Sequence, residues 1–162
     1  MTVYRTPSPD DDVADLLKEA RQTYRPDLDQ ADVTISVLFA DECSHHGYAA
    51  AAVIQINSVK NRVNGMADCT LTIDETWWAD HNRVKQIGLL HHELVHILIV
   101  RDKAGGVKTD AAGRPKLKQR KHDFVQGGFW EVAQQHGENS PEAEVYAPIQ
   151  KKFRQLLLWE QS

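Results

Sequence analysis

The chain has 162 residues, of which 41% are hydrophobic and 26% charged, and carries a formal net charge of −4. That length suits one domain over 1–162 with a real core and is short for two of ordinary size, while the acidic balance speaks against non-specific nucleic-acid binding by the whole molecule. Two cysteines, Cys43 and Cys69, without CxxC spacing indicate neither a disulfide framework nor a cysteine zinc site.

In chain order, "SPDDDVADLLKEA" opens with Ser8 as a cap, Pro9 at the first helical position and three aspartates on the positive helix end. It predicts a helix over about 9–24, ended by Pro26. The start of the chain shows no basic segment followed by an apolar stretch, so no secretory signal is expected. "VTISVLF" places Val33, Ile35, Val37 and Phe39 on one face at period two, a strand. "AAVIQINSVKNRV" and "MADCTLTID", separated by Asn64-Gly65, read as two strands of a tight hairpin, with Cys69, Leu71 and Ile73 on the buried face.

Asp74 or Thr76 then caps a long helix that carries "WWADHNRVKQIGLLHHELVHILIV", with Trp77 and Trp78 as core anchors. "RDKAGGVKTDAAGRPKLKQRK" reads as a hairpin or flap. A third helix is expected over about 122–136, stopping near Gly137, and Ser140-Pro141 opens a last helix over about 141–159 with a stripe of Val145, Ile149, Phe153 and Leu156. The sum is an α+β fold: a small antiparallel or mixed sheet packed against a long helix, with further N- and C-terminal helices. No apolar run approaches the ~18 residues of a membrane span, so a cytoplasmic domain without membrane contact is expected.

Within the long helix, His92, Glu93 and His96 interrupt an apolar run, "LLHHELVHILIV". Burying such groups unpaired costs roughly a few kcal/mol each, so something must hold them. His92 and His96 project from one helical face a turn apart and can both reach one metal ion, whereas Glu93 lies about 100° round the helix, placed to meet a water on that ion. This is the HExxH pattern of zinc hydrolases, in which zinc (Zn2+) lowers the pKa of water and the glutamate takes its proton.

A catalytic zinc takes a third protein ligand. Asp102 stands six residues after His96, but Ile99 occupies the position where that spacing needs a helix-breaking glycine, and a continuing helix would rotate Asp102 away. His122 is the stronger candidate, on a helical stripe with Val125, Phe129 and Ala133. Glu131 is the carboxylate alternative on the opposite face of that helix.

"LLHHELVHI", followed after a basic flap by "KHDF" and "FWEVAQQHG", resembles the phage metallopeptidase family and, more distantly, SprT-like zinc proteases. "GYAAAAVIQINSVKNRVNGMADCTLTI" is similar to the strands that precede the helix in those proteins, so the likeness spans about 30–137. It implies a minimal zincin-like fold, His92, His96 and His122 as zinc ligands, and Glu93 as the catalytic base in peptide-bond hydrolysis. Lys121 and Asp123 flank His122 where SprT-like proteins carry glycines, a departure that loosens the link to DNA-associated repair.

A protein or peptide substrate is the expected partner, lying along an edge strand for which "ADCTLTID" is the candidate. Tyr48, His136 and Tyr146 are the candidates for stabilising an oxyanion. His91 points off the ligand face, and His45-His46 reads first as part of a solvated loop, with lining the cleft as the alternative. Eight basic residues between Arg101 and Lys121 read first as a solvated hairpin, with contact to a nucleic-acid backbone as the alternative. Two rival functions remain at this stage: a non-catalytic protein whose metal only staples two helices for partner binding, and a nucleic-acid-associated SprT-like protease.

Overall fold

The computed structural model describes residues 2–123 and 128–144. Its strands are Tyr4–Arg5 (β1), Ile35–Ala40 (β2), Ser44–His45 (β3), Tyr48–Ala49 (β4), Ala52–Ile56 (β5), Cys69–Asp74 (β6), Ile97–Ile99 (β7) and Leu117–Gln119 (β8). Its helices are Val13–Tyr24 (α1), Pro26–Gln30 (α2), Val59–Val63 (α3), Glu75–Asp80 (α4), Arg83–Val95 (α5) and Trp130–His136 (α6). The main sheet has the order β1-β2-β6-β5. Strands β2 and β6 run parallel and the two outer pairs antiparallel. This is the mixed α+β architecture of a minimal zincin-like fold.

The alternation read from the sequence sets the sheet's two faces. Cys69, Leu71 and Ile73 are fully buried, while Thr70, Thr72 and Asp74 between them are partly exposed. Burying side chains of the size of Leu71 and Ile73 contributes about 1.5–3 kcal/mol each. Helices α1 and α5 pack together. They close this face into one core, with Leu16, Leu17 and Ala20 meeting Leu89, Leu90 and Leu94 over Phe39, Ile54 and Leu71.

Several boundaries differ from expectation, each for a local reason. The first helix opens as a 3-10 turn over Pro9–Asp11 before α1 begins. Asn64-Gly65 is not a two-residue hairpin turn. Ser58 caps α3 by accepting the Asn61 N–H (3.2 Å), and Gly65, at φ +90°, lets the chain leave that helix. The long helix is two. Asp74 caps α4, and Asn82, accepting the Lys85 N–H (3.1 Å), starts α5 afresh.

Helix α5 stops at Val95 because the following residues join another ladder: β7 pairs with β8, closing the flap as a hairpin. Asp102 turns inside that flap, accepting the N–H groups of Ala104 (2.9 Å) and Gly106 (2.8 Å). Arg114 anchors the flap to the body through the buried Asp68 carboxylate (2.8 and 3.2 Å) and Asp32 (2.9 Å). The third helix starts at Trp130 rather than at 122. His122 and Asp123 lie in a loop, where the Asp123 N–H donates to the Gly128 carbonyl (2.8 Å).

Helix α6 leads into a 3-10 turn, Gly137–Asn139, that rests on α5. Gly88 makes that approach feasible, since a Cβ on it would stand 2.8 Å from the main-chain oxygen of Asn139. Residues 141–144 are helical. Val125, the rest of the helix expected over 141–159, its apolar stripe and Tyr146 lie outside the described residues. None of the described helices is long and apolar enough to cross a membrane.

Candidate metal centre

The last turn of α5 is where buried polar groups concentrate. His92 and Glu93 lie on the helix itself, and His96 is its C-cap with helical angles (φ −62°, ψ −19°), so the one-turn relation between the two imidazoles survives the helix end. Arg25 holds this end in place. Its guanidinium donates to the carbonyl of Leu94 in the last helical turn and to that of Ile97 just beyond it (2.8 Å for the latter).

His122 enters from the loop after β8, and its Nε2 lies 3.2 Å from Nε2 of His92. One nitrogen from each of His92, His96 and His122 falls within 4.8 Å of the others. Tetrahedral ligands about 2.0–2.1 Å from one ion stand about 3.3–3.4 Å apart, close to the observed His92–His122 separation. A hydrogen bond between two imidazoles would account for one such approach; it does not bring in the third. Phe129, fully buried, backs all three rings at centroid distances of 5.0, 4.8 and 5.1 Å.

The outer nitrogens have partners that fix the tautomers. His92 Nδ1 donates to Glu142 Oε1 (2.7 Å), and His96 Nδ1 donates to the carbonyl of Arg120 (2.8 Å). Both contacts leave Nε2 with a free lone pair turned inward. Burial pushes His96 down to about 4, and burial together with the neighbouring His92 lowers His122, so both stand neutral at neutral pH, the form that ligates. Burial also pulls on His92, but the Glu142 and Glu93 carboxylates more than offset it and its pKa ends raised.

Glu93 is 4% exposed. Its Oε2 accepts the main-chain N–H of Ile54 (2.8 Å), which ties it to β5, and its Oε1 stands 4.0 Å from His92 Nε2. Burial raises its pKa above the ordinary carboxylate value. Glu142, 2% exposed, also accepts the Phe129 N–H (3.1 Å), while its Oε2 has no hydrogen-bond partner among the described residues.

Two carboxylates are thus buried around one imidazole. Among the described residues, neither forms an ion pair with a lysine or arginine. A divalent cation on the three nitrogens would offset this charge, and three imidazoles are a donor set that such an ion takes while keeping a coordination position open. The residues present fit a metal.

A cleft of about 260 Å³ opens over this cluster, bounded by His45, residues 49–54, Gln119 and Pro141. It continues past Ala49–Ala51 and Pro141 into a second hollow lined by Trp77, Asp80, His81 and Glu144. The strand along the cleft is β5, the edge of the main sheet. The expected edge, "ADCTLTID", is the central strand β6, flanked on both sides by pairing that links residues far apart in sequence. In β5, Val53 and Gln55 face β6 in the hydrogen-bonding register, which turns the main-chain groups of Ala52 and Ile54 off the edge.

The other candidates separate clearly. Asp102 is held in the flap turn, and Glu131, exposed on α6, pairs with Arg120. Tyr48 is 79% exposed on the β3–β4 hairpin, and His136 bonds His91 (3.0 Å) instead of facing the cleft. His91 is buried, stacked on Tyr24. His45 is exposed, as a solvated loop requires, and also lines the cleft, the alternative to simple solvation for this loop. Trp78 is buried as an anchor, whereas Trp77 is partly exposed and stacks on His81. In the flap, Arg114 and Arg120 are committed to acidic partners. Glu142 went unnoticed in the sequence; the only local signal was its place two residues after the Ser140 helix start.

A mixed sheet under a helix that ends on an HExxH sequence, with a third histidine brought alongside, defines the class of small zincin-like folds. The chain belongs to the family described as putative phage metallopeptidase, whose match spans residues 6–156. That membership makes it a hydrolase candidate acting on proteins or peptides and implies a bound metal ion. Comparison with curated proteins and with solved structures gives no match.

Proposed function

We propose that the protein is a zinc-dependent peptidase in which His92, His96 and His122 hold the ion and Glu93 is the general base. The observation that carries this reading is the convergence of three imidazole nitrogens beside a carboxyl group whose other oxygen is fixed to the edge strand. Zinc in such a site supplies Lewis acidity, lowering the pKa of water and polarising a carbonyl.

The chain's own groups do the rest. Glu93 takes the proton of the attacking water and returns it to the leaving amine, and burial, by raising its pKa above the ordinary carboxylate value, makes it a stronger base than an exposed glutamate. The extended substrate lies along β5, where Ala52 offers its outward N–H and C=O, and the cleft walls limit water around the scissile bond. His45, which lines the same cleft as the histidine cluster, is a side chain available to the developing oxyanion, a role for which Tyr48 and His136 are badly placed.

The test is elemental analysis of the purified protein together with hydrolysis of an unstructured protein substrate. The expected result is about one zinc per chain and cleavage that disappears in Glu93→Gln while the zinc stays. Zinc with no cleavage of any substrate, indifferent to Glu93→Gln, would favour the stapled partner-binding protein. No zinc bound or taken up would end the metal reading altogether.

A further inference from the structure

We propose that Glu142 is a positioning residue of the metal centre: its carboxylate locks His92 in the tautomer that presents Nε2 and ties the segment after α6 to the site. This rests on the metal-binding reading above and deepens it. Fifty positions of sequence separate the two residues, yet Glu142 Oε1 takes both the His92 Nδ1–H (2.7 Å) and the Phe129 N–H (3.1 Å). One carboxylate oxygen therefore fixes a ligand's orientation and the backbone of the aromatic residue that backs all three rings.

The arrangement is built and does not come from a flexible surface chain finding a partner. Glu142 is 2% exposed and sits in the helical turn started by Ser140. The Ser140 hydroxyl accepts the Ala143 N–H (3.2 Å) and donates to the Gly137 carbonyl (2.8 Å). Glu142 Oε2 has no hydrogen-bond partner among the described residues, so the carboxylate's charge is met through His92 and whatever cation His92 binds. Among the described residues, His92 has a carboxylate on its outer nitrogen, whereas His96 has a carbonyl there. A carboxylate raises the basicity of the imidazole it contacts and holds the ring against rotation, and loss of such a partner costs roughly 10–100-fold in metal affinity.

The experiment compares zinc and cobalt affinities of the full-length protein, Glu142→Gln and Ser140→Ala by competition with a chromophoric chelator, with circular dichroism of the apo forms. Glu142→Gln keeps the size and one acceptor and is expected to bind roughly 10–100-fold more weakly, with altered cobalt d–d bands. Ser140→Ala, which loosens the same segment without touching the ligands, is expected to stay within about twofold of wild type. Equal affinity in Glu142→Gln, or an equal loss in Ser140→Ala, would overturn the positioning role. A wild-type protein that binds neither ion would instead overturn the metal centre itself. Should Glu142→Gln fail to fold, the imidazole ¹⁵N spectrum of the zinc-loaded wild type decides: His92 protonated on Nδ1 supports the proposal, and a proton on Nε2 overturns it.

Discussion

His91 and His92 are neighbours on one helix, buried to 4% and 8% exposure, and they belong to two different histidine clusters. His91 turns to the rear, stacks on Tyr24 (4.3 Å between centroids) and shares a hydrogen bond with His136 (3.0 Å). His92 turns to the cleft, where its Nδ1 bonds Glu142 (2.7 Å) and its Nε2 faces His122 (3.2 Å) and His96. A hundred degrees of helix rotation thus separates a pair whose nitrogens satisfy each other from a trio whose nitrogens point at a common centre. Number of histidines and depth of burial do not mark a metal site. The direction in which the spare lone pairs point does.

That contrast can be broken by experiment. The largest effect is expected at Glu93, which belongs to the open cluster alone. Glu93→Gln should cut peptidase turnover by about 10²–10⁴-fold with zinc content unchanged, read from initial rates and elemental analysis on the same sample. Next come paired substitutions across the two clusters. His122→Ala should lower zinc affinity by at least about 100-fold, whereas His136→Gln should keep about one zinc per chain. Equal zinc loss in both would erase the distinction.

Arg114→Ala tests whether the open cluster leans on the flap that carries the Arg120 carbonyl. It leaves the buried Asp68 with a more distant arginine, Arg62 at 3.7 Å, and should cost about 1–3 kcal/mol in urea unfolding while leaving zinc stoichiometry intact. The smallest effect concerns pH. Burial lowers the pKa of His136 and takes His91 to about 4, below the unfolded value of 6.5. Between those values the unfolded chain binds more protons, so apo-protein stability should fall as pH drops from about 6.5 towards 4, and His136→Gln should reduce the slope by about one proton or less. An unchanged slope would mean that the closed pair does not titrate in this range.

How much of this could be read along the chain depended on how local each cause is. The two-residue alternation of Cys69, Leu71 and Ile73 gave a strand face, and the four-residue step from His92 to His96 gave a shared helical face, because both follow from backbone periodicity. That β6 is central and β5 the edge depends on pairing between segments more than thirty residues apart, for which a single sequence holds no direct sign. His122 meets the other two imidazoles, but from a loop, so the helical stripe that led to it was the wrong mechanism for the inward aim. Asn64-Gly65 misled because the same pair serves a hairpin turn and a helix exit, and Ser58, able to cap a helix just upstream, was the residue that decided between them. Glu142 shows only its place two residues after Ser140 until the fold brings it against His92.

Gly88 lies one helical turn ahead of His92, on the side of α5 where the main chain of Asn139 comes down. A single added methyl group there would have to lift the 137–139 turn, and Ser140 and Glu142 would rise with it. On the proposed reading the centre would then hold its ion more weakly, through a residue joined to His92 only along the helix backbone. The smallest side chain in the protein is in that sense a tolerance set by its most demanding chemistry.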